Sequence, residues 1–257
     1  MQTSPRPWID ALRHSHDTLR TKVEPLDGEQ VRRPSYASEW TIAQVLSHLG
    51  SGAQIFSLFL AAGLTGAPTP GQEAFPPIWE VWNARSPELQ AAEALVADGE
   101  LVKRFESLDA GQLDSVRLQL FGMDLDITGL ARMRLSEHAI HSWDIAVALD
   151  PAATVAADAT GLLIDTLDQV AGRAGKPEGK VLKLSVSTTS PERHFLLETA
   201  ENLTLAAAGP DDSLPQLRLP AEAFIRLVYG RLDEAHTPAV ETRQVDLDEL
   251  RSIFPGF

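Results

Sequence analysis

Apolar residues recur at spacings of three and four along the first part of the chain and at spacings of two in much of the last third. This pattern divides the molecule before any chemistry is considered. Trp8, Leu12, His16 and Leu19 share one stripe and predict an amphipathic helix over 8–23, on which His14 and His16 face different ways. Thr41, with Gln44 three residues later, has the form of a capping box and predicts a stronger helix ending near Gly63. On the face of His48 lie Val45, Ile55 and Phe59, with Gly52 one turn on, so the pattern points His48 into a core. Residues 63–77 form a Gly/Pro-rich loop of a length usually kept for lids or binding segments. A third helical region opens around Ile78, passes Trp79, Trp82 and Asn83, restarts at Pro87 and runs to about Leu108. Val116 to Leu120 is extended, and Ile127 to Leu149 is a further helix closed by Asp150-Pro151.

Beyond Pro151 the texture changes. A helix over 157–174 is stopped by Gly172, Gly175 and Pro177, and Leu182, Leu184 and Val186 then alternate with Lys183 and Ser185, the period of a strand. His194 to Thr199 and Leu203 to Ala207 predict two more strands, with Glu201-Asn202 as a tight turn between them. Pro220 is expected in the first turn of a helix reaching Leu232, and Asp246 with Glu249 caps a last short helix. The expected fold class is therefore α plus α/β. A four-helix bundle occupies 1–150, and a small α/β domain occupies 151–257.

Composition narrows the function classes. With 22 Lys plus Arg against 36 Asp plus Glu, the formal charge of −14 disfavours nucleic acid and anionic membrane as partners. The first residues lack the apolar core of a signal peptide, and no segment is expected to span a membrane, so a soluble cytoplasmic protein is the expectation. The chain has no cysteine, which excludes disulfides, thiolate metal sites and a cysteine nucleophile. A metal would have to be held by nitrogen and oxygen, and any sulfur chemistry would arrive on a ligand.

The chemistry concentrates in Arg134-Leu135-Ser136-Glu137-His138-Ala139-Ile140-His141-Ser142-Trp143-Asp144. At helical spacing Arg134, Glu137, His141 and Asp144 fall on one stripe beside apolar residues, where carboxylate and imidazole need a compensating charge. Glu137 and His141, four apart, can reach one ion, and His48 is a candidate third ligand. Two nitrogens and one carboxylate make an open catalytic zinc set. The competing reading is an ordinary core histidine beside a surface glutamate. His138, turned about 100° from this stripe, is left out of the set.

Trp40-Thr41-Ile42-Ala43-Gln44-Val45-Leu46-Ser47-His48-Leu49 resembles the tryptophan-to-histidine motif of the DinB-like, mycothiol-dependent maleylpyruvate isomerase family, and Glu137-xxx-His141-xx-Asp144 is similar to its second metal motif. Asn83 is similar to a recurring asparagine of the third helix, and Gly230-Arg231 to a Gly-Arg pair in the second domain. The resemblance implies a metal-binding bundle fused to a sterol-carrier-like domain, with zinc on His48, Glu137 and His141. It also implies that mycothiol, a low-molecular-weight thiol of actinobacteria, is the cosubstrate and places its sulfur at the open zinc position. The thiolate would attack a small electrophilic substrate, giving S-transfer or cis-trans isomerisation.

Around that core, Asp144 is expected to orient a ligand imidazole, and Arg231 to grip a substrate carboxylate or else form a structural salt bridge. Asn83 is either a bundle hydrogen bond or a contact to the thiol. Arg134 is expected to reach the surface, and Trp79 and Trp82 to be core. The same ligands suit other divalent ions. A hydrolase using zinc-bound water, or a non-catalytic metal-binding or regulatory protein, are the alternatives. The chain is expected to be a monomer or small homo-oligomer.

Overall fold

A computed structural model describes residues 4–37, 39–200 and 202–256. The chain divides into two compact units, Met1–Ala153 and Thr154–Phe257.

The first unit opens with helix α1 (Arg6–Val23). Helix α2 (Ile42–Thr65) follows, with the capping box of Thr41 and Gln44 formed in both directions and Gly66 closing it in the left-handed region at φ 68°. The short α3 (Phe75–Asn83) and the long α4 (Pro87–Glu106) are separated by Ser86, whose hydroxyl accepts from the Leu89 amide. After α5 (Ala110–Ser115), strands β1 (Leu118–Leu120) and β2 (Met123–Leu125) pair as a hairpin. Helix α6 (Ile127–Leu149) completes the unit, its first turn capped by the Asp126 side chain.

Helices α1, α6, α2 and α4 close a four-membered ring in which each packs on the next. Ile9, Leu12, Leu46, Leu49, Leu101, Leu130 and Leu135 on these helices are all buried. The extended run at 116–120 is one arm of the hairpin; its partner was not foreseen. Phe121 and Gly122 both take positive φ, 53° and 77°, the turn that matches strand twist.

Helix α2 corrects one expectation. It is long and apolar enough by length and composition to cross a membrane, and 67% of its most apolar window is buried inside the protein. Its hydrophobic residues are answered by three neighbouring helices, α3, α4 and α6.

The second unit begins with α7 (Ala157–Leu163) and α8 (Leu167–Ala174), joined by one turn of 3-10 helix. Strands β3 (Leu182–Thr189), β4 (Arg193–Thr199) and β5 (Leu203–Ala207) form an antiparallel meander. Glu201, half of the expected turn between β4 and β5, lies outside the described residues. Strand β6 (Gln216–Pro220) runs parallel to β3, α9 (Ala221–Val228) covers the sheet, and β7 (Glu241–Arg243) and α10 (Leu247–Ile253) end the unit. The sheet order is β5-β4-β3-β6-β7.

Two expectations change here. Pro220 starts a helix as the N-cap of α9, one position before the first turn, and it also ends strand β6, on which Leu217 and Leu219 alternate inward. The helix stops at Val228, short of Leu232, since Gly230 turns the chain at φ 70°. The molecule is thus an all-helical bundle with one small hairpin, followed by an α/β unit.

Candidate metal centre

The α2 and α6 helices face each other where His48 and the Glu137-xxx-His141 pair meet. Nε2 of His48 lies 3.4 Å from Oε2 of Glu137, and Nε2 of His141 lies 3.8 Å from that same oxygen. One ligand atom from each residue lies within 4.8 Å of the others. The two imidazoles meet edge to face at 4.7 Å between centroids. Trp40, in the last residues before α2, stacks on His141 at 6.4 Å and tilts against His48 at 5.4 Å. It thus forms an aromatic wall beside both nitrogen donors.

The side chain of Asp144 is fully buried, and its Oδ2 lies 2.9 Å from Nδ1 of His141. With that nitrogen engaged, Nε2 is the nitrogen left for an ion, the arrangement found when a carboxylate orients a metal-binding histidine. Partial desolvation by the surrounding helices opposes ionisation of Glu137, but the hydrogen bond to His48 and the charges around His141, His48 and Arg134 outweigh it and hold the carboxyl at about 2. Glu137 is therefore an anion throughout the working pH range.

The donor set, two imidazoles and a carboxylate, fits a divalent ion with nitrogen and oxygen preference. His48 differs from expectation. Its side chain is 35% exposed, although Val45 and Phe59 on the same face are buried. Glu137 is 48% exposed, so the site opens to solvent on one side, as a substrate-binding metal would require.

A family model for the mycothiol maleylpyruvate isomerase N-terminal domain matches residues 12–146. The chain belongs to the mycothiol maleylpyruvate isomerase family. The family's match spans His48, Glu137 and His141 together.

Solved structures share the fold. The crystal structure of the mycothiol-dependent maleylpyruvate isomerase superposes with TM-score 0.66, at 14% identity, over 89% of this chain and 90% of that one. A histidine-to-alanine variant of that enzyme superposes equally well, with the same TM-score of 0.66. A protein named as a metal-dependent hydrolase, from Geobacillus thermodenitrificans (strain NG80-2), is 40% identical over 58 residues. That stretch is 23% of this chain and 33% of the relative, so this chain spans about a third of the relative's length.

The remaining predicted positions fall as follows. Asn83 ends α3 on the surface, and its Oδ1 accepts from the hydroxyl of Ser47, the residue before His48, at 3.1 Å. Arg231 belongs to the second unit, where its Nη1 donates to the Tyr229 carbonyl at 2.7 Å beside Gly256. Trp82 is core, at 2% exposure, and its indole nitrogen donates to Gln54, whereas Trp79 is 42% exposed. Arg134, expected at the surface, is 1% exposed.

Its burial reveals a group of residues that sequence reasoning did not assemble. Nη2 of Arg134 donates to Oδ1 of Asp98 on α4 at 2.7 Å and to the Leu49 carbonyl on α2 at 2.9 Å. Nδ1 of His16 on α1 lies 2.8 Å from Oδ2 of Asp98, and Nε2 of His138 lies 2.9 Å from that oxygen. The Ser15 hydroxyl meets Nδ1 of His138 at 2.8 Å. All four bundle helices are joined at this point.

Burial raises the cost of the Asp98 charge, but the fields of His138 and Arg134 and the hydrogen bond from His16 hold its carboxyl well below the usual range. His16, Asp98 and His138 have metal-ligand chemistry and lie close enough together to hold an ion. Arg134 already offsets the carboxylate, however, and a dication would lie against a buried guanidinium. The group reads as a charge-balanced polar core. Its signal was in the sequence: Asp98 interrupts the stripe of Ala91, Ala94, Leu101 and Phe105, and His16 that of Leu12 and Leu19.

Proposed function

We propose that His48, Glu137 and His141 hold one zinc ion and that the protein is a zinc-dependent enzyme with mycothiol as thiol cosubstrate. The observation that carries this reading is the convergence of three donor atoms within 4.8 Å, one of them a carboxylate oxygen approached by two imidazoles. When bound, the ion supplies the positive charge that converts a thiol with a pKa near ~8.5 into a thiolate at neutral pH. The absence of cysteine is consistent with a nucleophile brought in by a ligand.

The chain's own residues divide the remaining work. Asp144 holds His141 in one ring orientation and one tautomer. Trp40 screens the donors from bulk water on one side. Asn83, anchored by Ser47, is assigned to the polar body of the thiol, and Arg231 in the second unit to a substrate carboxylate. The thiolate adds to an electrophilic carbon of a small substrate. In S-transfer the new C–S bond persists and the displaced electron pair leaves with its group. In isomerisation the π electrons move onto a conjugated carbonyl, the former double bond rotates, and the C–S bond breaks as the double bond returns.

The named hydrolase relative favours a second reading, a hydrolase using zinc-bound water. Asp144, a carboxylate next to the donors with the chemistry of a base, is buried and committed to His141. Calorimetry of the zinc-loaded protein with mycothiol separates the two. Saturable binding abolished by His48→Ala supports the thiol enzyme; no binding to a zinc-replete protein overturns it. The sequence-based reading of 1–150 as a DinB-like bundle, of 151–257 as a sterol-carrier-like domain and of a cytoplasmic location belongs to this same proposal.

A further inference from the structure

Arg134 costs the bundle a buried cation that an apolar side chain of similar size would spare. The placement of its contacts suggests what the chain gains. The Leu49 carbonyl that accepts from Nη2 belongs to the residue directly after His48. On α6, Arg134 lies three residues before Glu137 and seven before His141, on the stripe that carries both. Asp98, reaching in from α4, fixes the guanidinium from the other side at 2.7 Å.

A second, independent feature marks the same contact. A Cβ at Gly52 would come within 2.9 Å of Nη1 of Arg134, so α2 leaves out a side chain where the guanidinium passes. The helix therefore accommodates this one side chain in both shape and hydrogen bonding, one turn from His48.

We infer that Arg134, locked by Asp98, is a positioning residue of the metal centre: it fixes the α2 backbone at His48–Leu49 against the α6 turns that present Glu137 and His141. The inference rests on the metal reading proposed above. It requires Arg134 to touch neither metal nor substrate. Its effect is on the spacing of donors drawn from two helices, and such supporting contacts govern metal affinity by about 10–100-fold.

The test measures zinc affinity by chelator competition, and the visible spectrum of the cobalt-loaded protein, for Arg134→Met, Arg134→Lys, Asp98→Asn and Gly52→Ala. Leu12→Ala, a cavity in the bundle core at a residue that makes no hydrogen bond to Arg134 or Asp98, serves as a control for lost stability. The expected result is a loss of affinity of about 10–100-fold for Arg134→Met and Asp98→Asn, with a changed cobalt spectrum. Arg134→Lys, which keeps the charge on a shorter reach, should retain more affinity, and Leu12→Ala should keep both affinity and spectrum. Should Arg134→Met fail to fold, Gly52→Ala, whose new Cβ displaces the guanidinium, carries the same criterion. Folded variants with wild-type affinity and spectrum overturn the inference, as does an equal loss in Leu12→Ala. A wild-type protein that binds no metal overturns the proposed function itself, an outcome visible before any variant is made.

Discussion

Asp144 and His141, three residues apart on α6, meet at 2.9 Å with the carboxylate fully buried and the imidazole at the edge of the site. The pair converts a helical spacing into a chosen ring nitrogen. Asp144→Asn keeps the shape and removes the charge, so zinc affinity should fall by about 10–100-fold without being lost, as for other supporting carboxylates. His141→Ala removes a donor and should abolish stoichiometric zinc. Metal analysis of the two purified variants distinguishes the roles.

Removal of zinc should leave the fold standing. The proposed ligands lie on α2 and α6, which already bury apolar faces such as Leu46, Leu49, Leu130 and Leu135. Chelated protein should keep its helical circular dichroism and unfold at a lower temperature. At free zinc 100-fold above its Kd the stabilisation should be about 2.7 kcal/mol. Unfolding on chelation would show that the ion is structural.

Asp98 makes acid stability a direct readout. Its carboxyl is depressed in the folded state, so its contribution is complete above the unfolded value of ~3.9 and is lost as pH falls towards the folded value. Wild-type stability should drop on acidification below about pH 4, and the Asp98→Asn curve should be flatter there. At neutral pH that variant leaves Arg134 unpaired and should be less stable by about 3–5 kcal/mol in urea titrations.

Trp40 lies against both imidazoles and is 38% exposed, so its emission should report on ion binding. Titration of the apo protein with zinc should change tryptophan fluorescence, and Trp40→Phe should remove most of that change while the other four tryptophans remain.

Gly230 takes φ 70°, and a Cβ there would lie 2.4 Å from the backbone nitrogen of Gly256. Gly230→Ala therefore meets backbone as well as the left-handed penalty of about 1–2 kcal/mol. Its destabilisation should exceed that figure in denaturant unfolding, with the C-terminal segment beside Arg231 displaced.

Local signals were the legible ones. Thr41 with Gln44 marked the start of α2, and Asp150-Pro151 the end of α6, because caps and prolines act on their own turn. His48, Glu137 and His141 were found by spacing and by resemblance to a family, and the structure brings all three together. Periodicity gave the face of His48 but not its depth, since exposure depends on how far the neighbouring helix extends. Strand β6 escaped because its partner β3 lies some thirty residues earlier and its last residue, Pro220, is also an ordinary helix starter. Arg134 was misread for a similar reason. Whether a guanidinium reaches water or a carboxylate depends on Asp98, on a helix that contributes no metal ligand.

The uncharged run of α2 has a consequence for the chain as it is made. From Ile42 to Thr65 no aspartate, glutamate, lysine or arginine interrupts it, and on its own it meets the length and hydropathy of a membrane helix. Its main partner, α4, comes next but one among the helices, and α6 is added only near the end of the unit. Early capture by α4 would thus hide the segment from the machinery that inserts nascent helices into lipid. The same greasy helix that carries His48 makes the order of synthesis matter.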